Sequence, residues 1–387
     1  MTDARRPKGT GSIRPRQGRY QATYSYIDAA GKRRRRSKLC RTKTEARSWL
    51  NERLAEVQSG QLSNAGDMRL GEYLTDWLAS LGTSGLEPTT VSWYRSAVLR
   101  HIIPALGAVK LEKLSPVVIE TFLAEKVTSG RLDGTGGLGP ASVRRLQVTL
   151  HKALDAAVRK GLVTRNPADL AEAPRMPTTD VTNDVWTPEE LAKFVSETTS
   201  DRLAAVWRIA AMTGLRRSEV CGLTWPDVDL EVGMISVRRA AVVADGRRHV
   251  KAPKTAASRR TVEMDVKTTQ ALREWRKLQI EERLRAGEAW HDGQWVVADQ
   301  LGMPIHPDWL STLFARRAAE LDLRPITLRQ LRHSHATALL RAGAHPKVVQ
   351  ERLGHNDSSR RHARSRFQGL QPQRTIIDRR NAGRSSA

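Results

Sequence analysis

Residues 326–355 constrain the fold of this chain more than any other stretch. Their apolar residues recur at helical spacing up to Gly343, and a second helix is expected to begin at Pro346, because glycine often ends helices and proline suits a first turn. Arg329 and Arg332 stand three residues apart, so their guanidinium groups are expected to project from nearly the same helix face. The pattern predicts two short helices that gather several cations around one anion.

The chain carries a large excess of positive charge. It has 65 Lys and Arg against 41 Asp and Glu in 387 residues, a formal net charge of +24. Residues 1–66 hold sixteen Lys or Arg against five acidic residues, and residues 356–387 hold eight Arg against two Asp. Such a charge is typical of proteins that bind nucleic acid, and a solvated basic surface is the alternative. Both ends are therefore candidate contacts to a polyanion.

Composition disfavours several other classes of protein. With only Cys40 and Cys221, neither a disulfide framework nor a cysteine-rich metal site is indicated. No apolar run is long enough to span a membrane, and the first residues lack the apolar segment of a signal peptide. The glycines between Thr128 and Pro140 lack the spacing of a phosphate-binding loop. We expect a reducing, cytoplasmic setting without membrane contact.

The first sixty residues predict a small sheet followed by a helix. Strands are expected over residues 11–16, 19–27 and 32–39, and a helix over 44–58. Arginines and tyrosines interleave along these strands, as in a sheet that lies in a DNA groove. The alternative is that the tyrosines pack on the helix while the arginines are merely solvated. The candidate DNA contacts are Arg14, Arg16, Arg19, Tyr20, Arg33, Arg34, Arg35 and Arg36.

Two segments of linker composition, residues 59–66 and 174–184, divide the rest of the chain. The block between them, residues 68–174, has stretches in which apolar residues recur at helical spacing. A helical bundle is therefore predicted. The stretches cover residues 70–80, 87–106, 115–127 and 141–163.

Beyond the second linker the pattern becomes mixed. Thr187, followed by Pro188 and Glu190, has the order of a capped helix start. Strand-like segments joined by turns are then expected over residues 234–243 and 247–266, with Lys254 on a turn before the last strand, and helices follow. The predicted fold class is α+β, mainly helical and multidomain: an N-terminal sheet-and-helix module, a helical bundle, and a mixed helical domain with a small antiparallel sheet.

Four motifs follow one another along this last domain: TGLRRSEV (213–220), PKTAASRRTV (253–262), LRQLRHSHATALL (328–340) and ERLGH (351–355). In this order they resemble the catalytic domain of tyrosine recombinases of the phage-integrase type. That resemblance implies a basic arm-binding module over residues 1–62, a SAM-like core-binding domain over 68–174, a catalytic domain over 185–370 and a disordered basic tail over 371–387.

The resemblance also implies a set of catalytic residues. Arg329 stands where the family usually has histidine, and arginine keeps a donor to phosphate but cannot act as a base at neutral pH. Taken singly, each residue has an ordinary alternative as a solvated cation, a core group or a helix stop. By position, Arg216 and Arg332 match the two family arginines, Lys254 the β-turn lysine, His355 the LGH histidine, and Glu219 the acidic residue that braces the first arginine.

The implied reaction explains these residue types. Strand exchange attacks a DNA phosphodiester through a pentacoordinate state that carries more negative charge than the ground state. Two arginines can fork onto the non-bridging oxygens, while the lysine protonates the departing 5′-oxygen and the histidine donates to a non-bridging oxygen or transfers a proton. The family stores the bond energy in a phosphotyrosine, so neither ATP nor Mg²⁺ is implied.

The sequence departs from the family pattern at the nucleophile. The family has a tyrosine shortly after the LGH histidine, but residues 356–387 contain none, and Arg364 falls near the expected place. The five tyrosines are at positions 20, 24, 26, 73 and 94. A shifted reading frame or divergence after His355 is the favoured hypothesis, and resequencing the gene tests it. Recruitment of Tyr73 or Tyr94 from a partner subunit is the alternative.

The predicted function is site-specific recombination that integrates or excises a mobile element. The expected partners are double-stranded attachment-site DNA and copies of the chain in a tetramer, with accessory DNA-bending or directionality factors. A bacterial or phage-encoded, nucleoid-associated protein is expected. From a different class comes a cleavage-defective relative that only binds the same DNA. A basic transcription regulator would account for the charge but not for the four ordered motifs.

Overall fold

The computed structural model describes residues 11–27, 33–58, 67–175, 185–252 and 259–354. The chain divides into two compact units, residues 1–178 and 179–387, and the boundary falls inside the second predicted linker. The first unit contains two separate clusters of buried apolar residues, one in each of the domains expected there. The division into three domains stays a prediction.

The first unit begins with an antiparallel sheet and a helix, as predicted. The turn between the first two strands has Gln17 and Gly18 at φ of 48° and 72°, which suits a tight hairpin. The helix covers one face of the sheet, where Ala22, Tyr24 and Ala46 are buried. In order the elements are β1 (Ser12–Arg16), β2 (Arg19–Ile27), β3 (Arg33–Cys40) and α1 (Lys43–Gln58).

A helical bundle completes the first unit and confirms the predicted helical stretches. Four of its helices have proline in the first turn, and Ser115 caps one of them by accepting from the Val118 amide. One helix contains a π-helical turn, Val98–Ile102. The helices are α2 (Leu70–Ser80), α3 (Pro88–Ala97), α4 (Ile103–Leu106), α5 (Pro116–Ser129) and α6 (Pro140–Arg159).

The second unit packs helices around two small sheets. The predicted capped start at Thr187 is confirmed, since its hydroxyl accepts from the Glu190 amide and the Glu190 carboxylate accepts in return. Its helices are α7 (Pro188–Glu197), α8 (Ala204–Met212), α9 (Arg217–Val220), α10 (Val266–Ala286), α11 (Pro307–Glu320), α12 (Leu328–Arg341) and α13 (Pro346–Leu353), and its strands are β4 (Val228–Asp229), β5 (Met234–Val237), β6 (Ala240–Ala244), β7 (Arg247–Lys251) and β8 (Arg260–Glu263).

The strands of this unit differ from the prediction in one respect. The expected continuous strand over residues 234–243 is two strands that belong to different sheets. β5 lies between β4 and β8, whereas β6 forms a hairpin with β7. Arg238 and Arg239 stand at the break and interrupt the apolar residues, a local signal that the prediction of one continuous strand overlooked.

Within the described ranges, no helix combines the length and the apolar character needed to cross a bilayer.

Candidate functional site

The loop between α8 and α9 brings three helices close together. Gly214 in this loop has a φ of +67°, and a Cβ there would lie 2.8 Å from side-chain carbons of both His335 on α12 and Leu353 on α13. Any larger residue would therefore require these side chains to shift, and its φ would be strained. Glycine at this position allows α12 and α13 to approach the loop closely.

Glu219 lies at the centre of the site. Its carboxylate accepts from the main-chain N–H of Arg216 at 2.8 Å and from Nη1 of Arg216 at 2.6 Å. Nη1 and Nη2 of Arg260 donate to its two oxygens at 3.1 and 2.9 Å. Nη1 of Arg332 lies 3.9 Å from Oε2. One carboxylate, only 3% exposed, thus serves three arginines; we call these four residues the arginine cluster.

The same three arginines hold the last turn of α13. Nε of Arg260 donates to the carbonyl of Arg352 at 2.7 Å, and Nη2 of Arg332 donates to that of Leu353 at 2.5 Å. Nη2 of Arg216 donates to the Gly354 carbonyl at 3.1 Å. Three consecutive carbonyls therefore each accept from a different arginine. This is favourable because a helix C-terminus carries partial negative charge and unsatisfied carbonyl groups.

The electrostatics of the arginine cluster favour a bound anion. Burial raises the pKa of Glu219, but hydrogen bonding and charge from Arg260, with help from Arg216, outweigh it and leave the pKa below its usual value. Burial, followed by the charge of Arg216, lowers the pKa of Arg332 to about 9. Three cations face one carboxylate in a partly desolvated place. A phosphate would relieve that uncompensated charge.

The arginines of the cluster differ in how they meet solvent. The side chain of Arg216 is 39% exposed, whereas that of Arg332 is 4% exposed and also donates from Nη1 to the Gly214 carbonyl at 2.6 Å. Arg329, one turn earlier on α12, is exposed. Arg329 and Arg332, three residues apart on α12, therefore differ in burial, because carbonyl acceptors hold Arg332 in the interior while Arg329 meets solvent.

Two of the expected catalytic residues, Lys254 and His355, lie outside the described residues. So do residues 356–387, and with them Arg364 and the expected disordered tail. The geometry therefore brings together Arg216, Arg332 and Glu219 from the predicted set.

Sequence reasoning missed two arginines that complete the site. Arg260 was not singled out, although it lies two residues before the buried Val262 on β8, and alternation along a strand places the two on one face. Arg352 was also missed. Its Nε donates to Nε2 of His335 at 3.3 Å, and its Nη2 donates to the carbonyls of Met212 and Glu263 at 3.2 and 2.9 Å.

His335 is buried in the core of the second unit. Burial, followed by the charges of Arg352 and Arg332, lowers its pKa to about 4. The imidazole is therefore neutral at physiological pH and can accept the hydrogen bond from Arg352.

The N-terminal sheet divides its candidate DNA contacts between two faces. Arg33 pairs with Ile27 and Arg35 with Ser25 in the strand register, and Arg16 pairs with Arg19. These arginines and Arg14 are exposed on the face away from α1. We call Arg14, Arg16, Arg19, Arg33 and Arg35 the open sheet face.

The other face of the sheet carries the tyrosines. Tyr24 and Tyr26 are buried beneath α1, so for these two the packing alternative is confirmed. Tyr20 is half-buried against the same core. The guanidinium of Arg36 lies 5.6 Å from the Tyr26 ring centroid and is half-buried. The register places Arg34 opposite Tyr26, but its side chain lies outside the described residues.

Tyr73 and Tyr94 are both in the bundle core, at 2% and 9% exposure. The phenol of Tyr73 donates to the Ala153 carbonyl at 2.5 Å, and burial raises its pKa to about 12. A buried, hydrogen-bonded phenol with a raised pKa is a poor nucleophile. This geometry disfavours recruitment of Tyr73 from a partner subunit.

In the part of the chain that the structure describes, one group of side chains has metal-ligand geometry. Nδ1 of His151 lies 3.3 Å from Asp155 and Nε2 lies 2.8 Å from Asp169. Asn166 also donates to Asp155 at 2.7 Å. These groups belong to the helical bundle and satisfy one another, so we derive no metal-dependent step from them.

Comparison with known proteins gives consistent matches. Residues 185–363 match the phage integrase family, and residues 69–127 match the N-terminal SAM-like domain of phage integrases. The first of these matches continues past His355 and ends just before Arg364. The ICEBs1 integrase of Bacillus subtilis is 27% identical over 342 residues, which cover 87% of this chain and 90% of the relative.

Solved structures share the fold. A lambda integrase dimer bound to a COC′ core site matches with a TM-score of 0.59 at 19% identity, covering 97% of this chain and 100% of that one. A lambda integrase tetramer bound to a Holliday junction matches with a TM-score of 0.56 at 19% identity, covering 91% and 97%. The predicted fold class is confirmed. Together with the four ordered motifs, the two family matches and the Bacillus subtilis relative show that the chain belongs to the phage integrase family of tyrosine recombinases.

Proposed function

We propose that this protein is a site-specific DNA recombinase of the tyrosine type, which binds attachment-site DNA and integrates or excises a mobile element. The arginine cluster carries the proposal. It places an excess of cationic charge beside one buried carboxylate, at the end of α13, where the family motif ends. Such a site suits a reaction in which negative charge builds up on a phosphate.

Each residue of the cluster has a distinct part in this proposal. Arg216 is the outward cation, and its guanidinium is the group placed to meet a non-bridging oxygen of the scissile phosphate. Arg332 lies behind it and adds charge from a desolvated position, where an electrostatic interaction is stronger than in water. The Glu219 carboxylate fixes the orientation of Arg216 by accepting from both its guanidinium and its main-chain N–H.

Three further residues belong to the proposal by their motif positions. Lys254 would protonate the departing 5′-oxygen, and His355 would donate to a non-bridging oxygen. Arg329, exposed on α12, would supply a further donor to DNA phosphate. For the last, an alanine substitution should reduce affinity for DNA rather than the cleavage rate.

The proposal is tested with a suicide substrate, a duplex of the attachment site with a nick close to the cleavage position. An active recombinase forms a covalent protein–DNA adduct that survives denaturation, and proteolysis followed by mass spectrometry identifies the attached residue. No adduct, together with weak binding that does not depend on DNA sequence, would contradict the proposal.

The absence of a tyrosine after residue 94 favours a second candidate function. In this alternative the chain is a cleavage-defective relative that occupies the same attachment sites without cutting them. Tight, sequence-dependent binding without any adduct supports this candidate. Resequencing the gene beyond the His355 codon distinguishes a shifted reading frame from divergence.

We further propose that the chain assembles on DNA as a homotetramer, with accessory DNA-bending or directionality factors. Support comes from the fold that it shares with a lambda integrase tetramer on a Holliday junction. A function on chromosomal or phage DNA places the protein in the cytoplasm, associated with the nucleoid. Mass photometry on a synthetic junction checks the stoichiometry, and a complex with fewer than four protomers would contradict it.

A further inference from the structure

Arg260 connects the Glu219 carboxylate of the arginine cluster to the last turn of α13. On one side its two terminal nitrogens hold both oxygens of Glu219, at 3.1 and 2.9 Å. On the other side its Nε holds the Arg352 carbonyl in the last turn of α13, at 2.7 Å. A planar guanidinium spreads its donors over three nitrogens in a fixed fork and reaches all three acceptors at once, whereas an ammonium carries its three donors on a single atom.

The backbone of Arg260 is held in place by a β-sheet. It begins β8, where it pairs with Val237 of β5, and the next residue on the same face, Val262, pairs with Ile235. Val237, Val262 and Ile235 are all buried. The side chain of Arg260 is itself only 7% exposed. A side chain anchored in this way has few alternative rotamers, so it can fix what it binds.

Loss of Arg260 would change the positions of the other arginines. Glu219 would keep its contacts with Arg216, but without Arg260 its carboxylate would be freer to move toward Arg332, whose Nη1 is 3.9 Å from Oε2. The Arg352 carbonyl would lose its donor, whereas the next two carbonyls, of Leu353 and Gly354, would keep theirs. The distance between Arg216 and Arg332 would therefore no longer be fixed.

We propose that Arg260 is a positioning residue: by holding Glu219 and the end of α13 together, it sets where Arg216 and Arg332 meet a DNA phosphate. This inference rests on the proposed function for the phosphate itself. The competing explanation is that Arg260 is only a stabilising ion pair, which any cation at the position would replace.

The test uses the full-length chain with Arg260→Met and Arg260→Lys, and Arg259→Met as the matched control. Arg259 is the exposed neighbour in the same motif. The first measurement is the rate at which phenylglyoxal modifies Arg216 in the absence of DNA, followed by peptide mass spectrometry. It needs no nucleophile and no cleavage. Thermal melting identifies any variant that does not fold.

Positioning by the guanidinium predicts that Arg216 reacts faster in both Arg260 variants, by roughly threefold or more, because two of its acceptors are no longer held in place. The Arg259→Met control should react like the unsubstituted chain. Equal rates in all four proteins would overturn the inference. So would a normal rate in Arg260→Lys, since charge alone would then suffice. If Arg260→Met does not fold, Arg260→Lys decides the question.

A second readout applies where the unsubstituted chain forms the adduct. The single-turnover rate at saturating nicked DNA should fall by roughly tenfold in both Arg260 variants, while the Kd for the duplex changes by less than about threefold. A rise in Kd with an unchanged rate would contradict positioning. Failure of the unsubstituted chain to form an adduct counts against the proposed function alone, because the modification rate of Arg216 is independent of it.

Discussion

The open sheet face and the arginine cluster are both rich in arginine, but they place it in opposite environments. On the sheet, Arg14, Arg16 and Arg35 are exposed to solvent. In the cluster, Arg332 and Arg260 are almost fully buried and hydrogen-bonded to a carboxylate or to carbonyls. Exposed cations are mobile and screened by salt, whereas buried ones are fixed and act at low dielectric.

This contrast separates two tasks that the high net charge alone does not distinguish. Solvated arginines contribute affinity for any phosphate backbone by releasing counterions. Preorganised arginines destabilise the free protein, because their like charges are held close together. The same arginines stabilise the transition state, in which negative charge develops on one phosphate. The open sheet face therefore suits DNA binding, and the arginine cluster suits chemistry on DNA.

The largest effect is expected for Arg332→Ala. Cleavage of the nicked substrate should fall by roughly a hundredfold to a thousandfold, as when one preorganised donor to a transition-state oxyanion is lost. Most of the DNA affinity should remain, because it is spread over many phosphates. Arg329→Ala, one turn away and exposed, is the control and should cleave far better. Loss of all binding in Arg332→Ala would contradict the division of tasks.

Glu219→Gln should be the most destabilising change in the cluster. The amide has almost the same shape but leaves three buried or half-buried guanidinium groups without their anion. Breaking a buried pair in this way costs about 3–5 kcal/mol. Urea unfolding measures the loss, with the exposed neighbour Glu263→Gln as control. Equal midpoints for the two variants would show that the carboxylate is not needed.

The second unit should lose stability as the pH falls from about 6.5 to about 4. The pKa of His335 is lowered from 6.5 to about 4 in the folded chain, so in this window the unfolded chain binds a proton that the folded one does not. Stability is therefore full above the upper value and lost as pH drops, by up to about 3 kcal/mol. Glu219, whose pKa is lowered from 4.5, adds to the loss only from about pH 4.5 downward, at the acidic end of this window. In thermal melts, His335→Gln should remove this pH dependence of the melting temperature. An unchanged slope of melting temperature against pH would rule out His335 as its origin.

The smallest effects are expected on the sheet. Arg14→Ala, Arg16→Ala or Arg35→Ala should each reduce the salt dependence of DNA binding by about one phosphate contact, a change of about 0.9 in the slope of log K against log salt. Melting temperatures should not change. Arg36→Ala should behave differently, because its guanidinium rests on Tyr26. It should lower stability by about 0.5–1 kcal/mol and alter the slope less. Identical behaviour of all four would erase the distinction between the two faces.

Local signals made most of the fold predictable. The strands of the N-terminal sheet and the capped start of α7 follow from alternation, turn residues and capping residues near in sequence. The end of α13 at Gly354 was also predictable, and its φ of +62° is the left-handed conformation that glycine favours. In contrast, the choice of face for the tyrosines depends on which side α1 covers, which alternation alone does not reveal.

The site was predictable only in part, because its contacts join residues far apart in the chain. Arg216, Glu219 and Arg332 were predicted from motifs, but the burial of Arg332 follows from carbonyls at Gly214 and Leu353 that become neighbours only on folding. Arg260 had one local signal, its alternation with Val262, and a buried arginine on a strand is uncommon. Lys254 and His355 stay predictions.

The central claim is that the arginine cluster receives one particular DNA phosphate. A double-mutant cycle tests it most directly: binding of the unsubstituted chain and of Arg216→Ala is measured on attachment-site duplexes that carry a single neutral methylphosphonate, moved one position at a time. The account predicts that at one phosphate the two changes are not additive, with a coupling of about 1.5 kcal/mol or more. Additive losses at every position would show that Arg216 binds no particular phosphate, and would contradict the account.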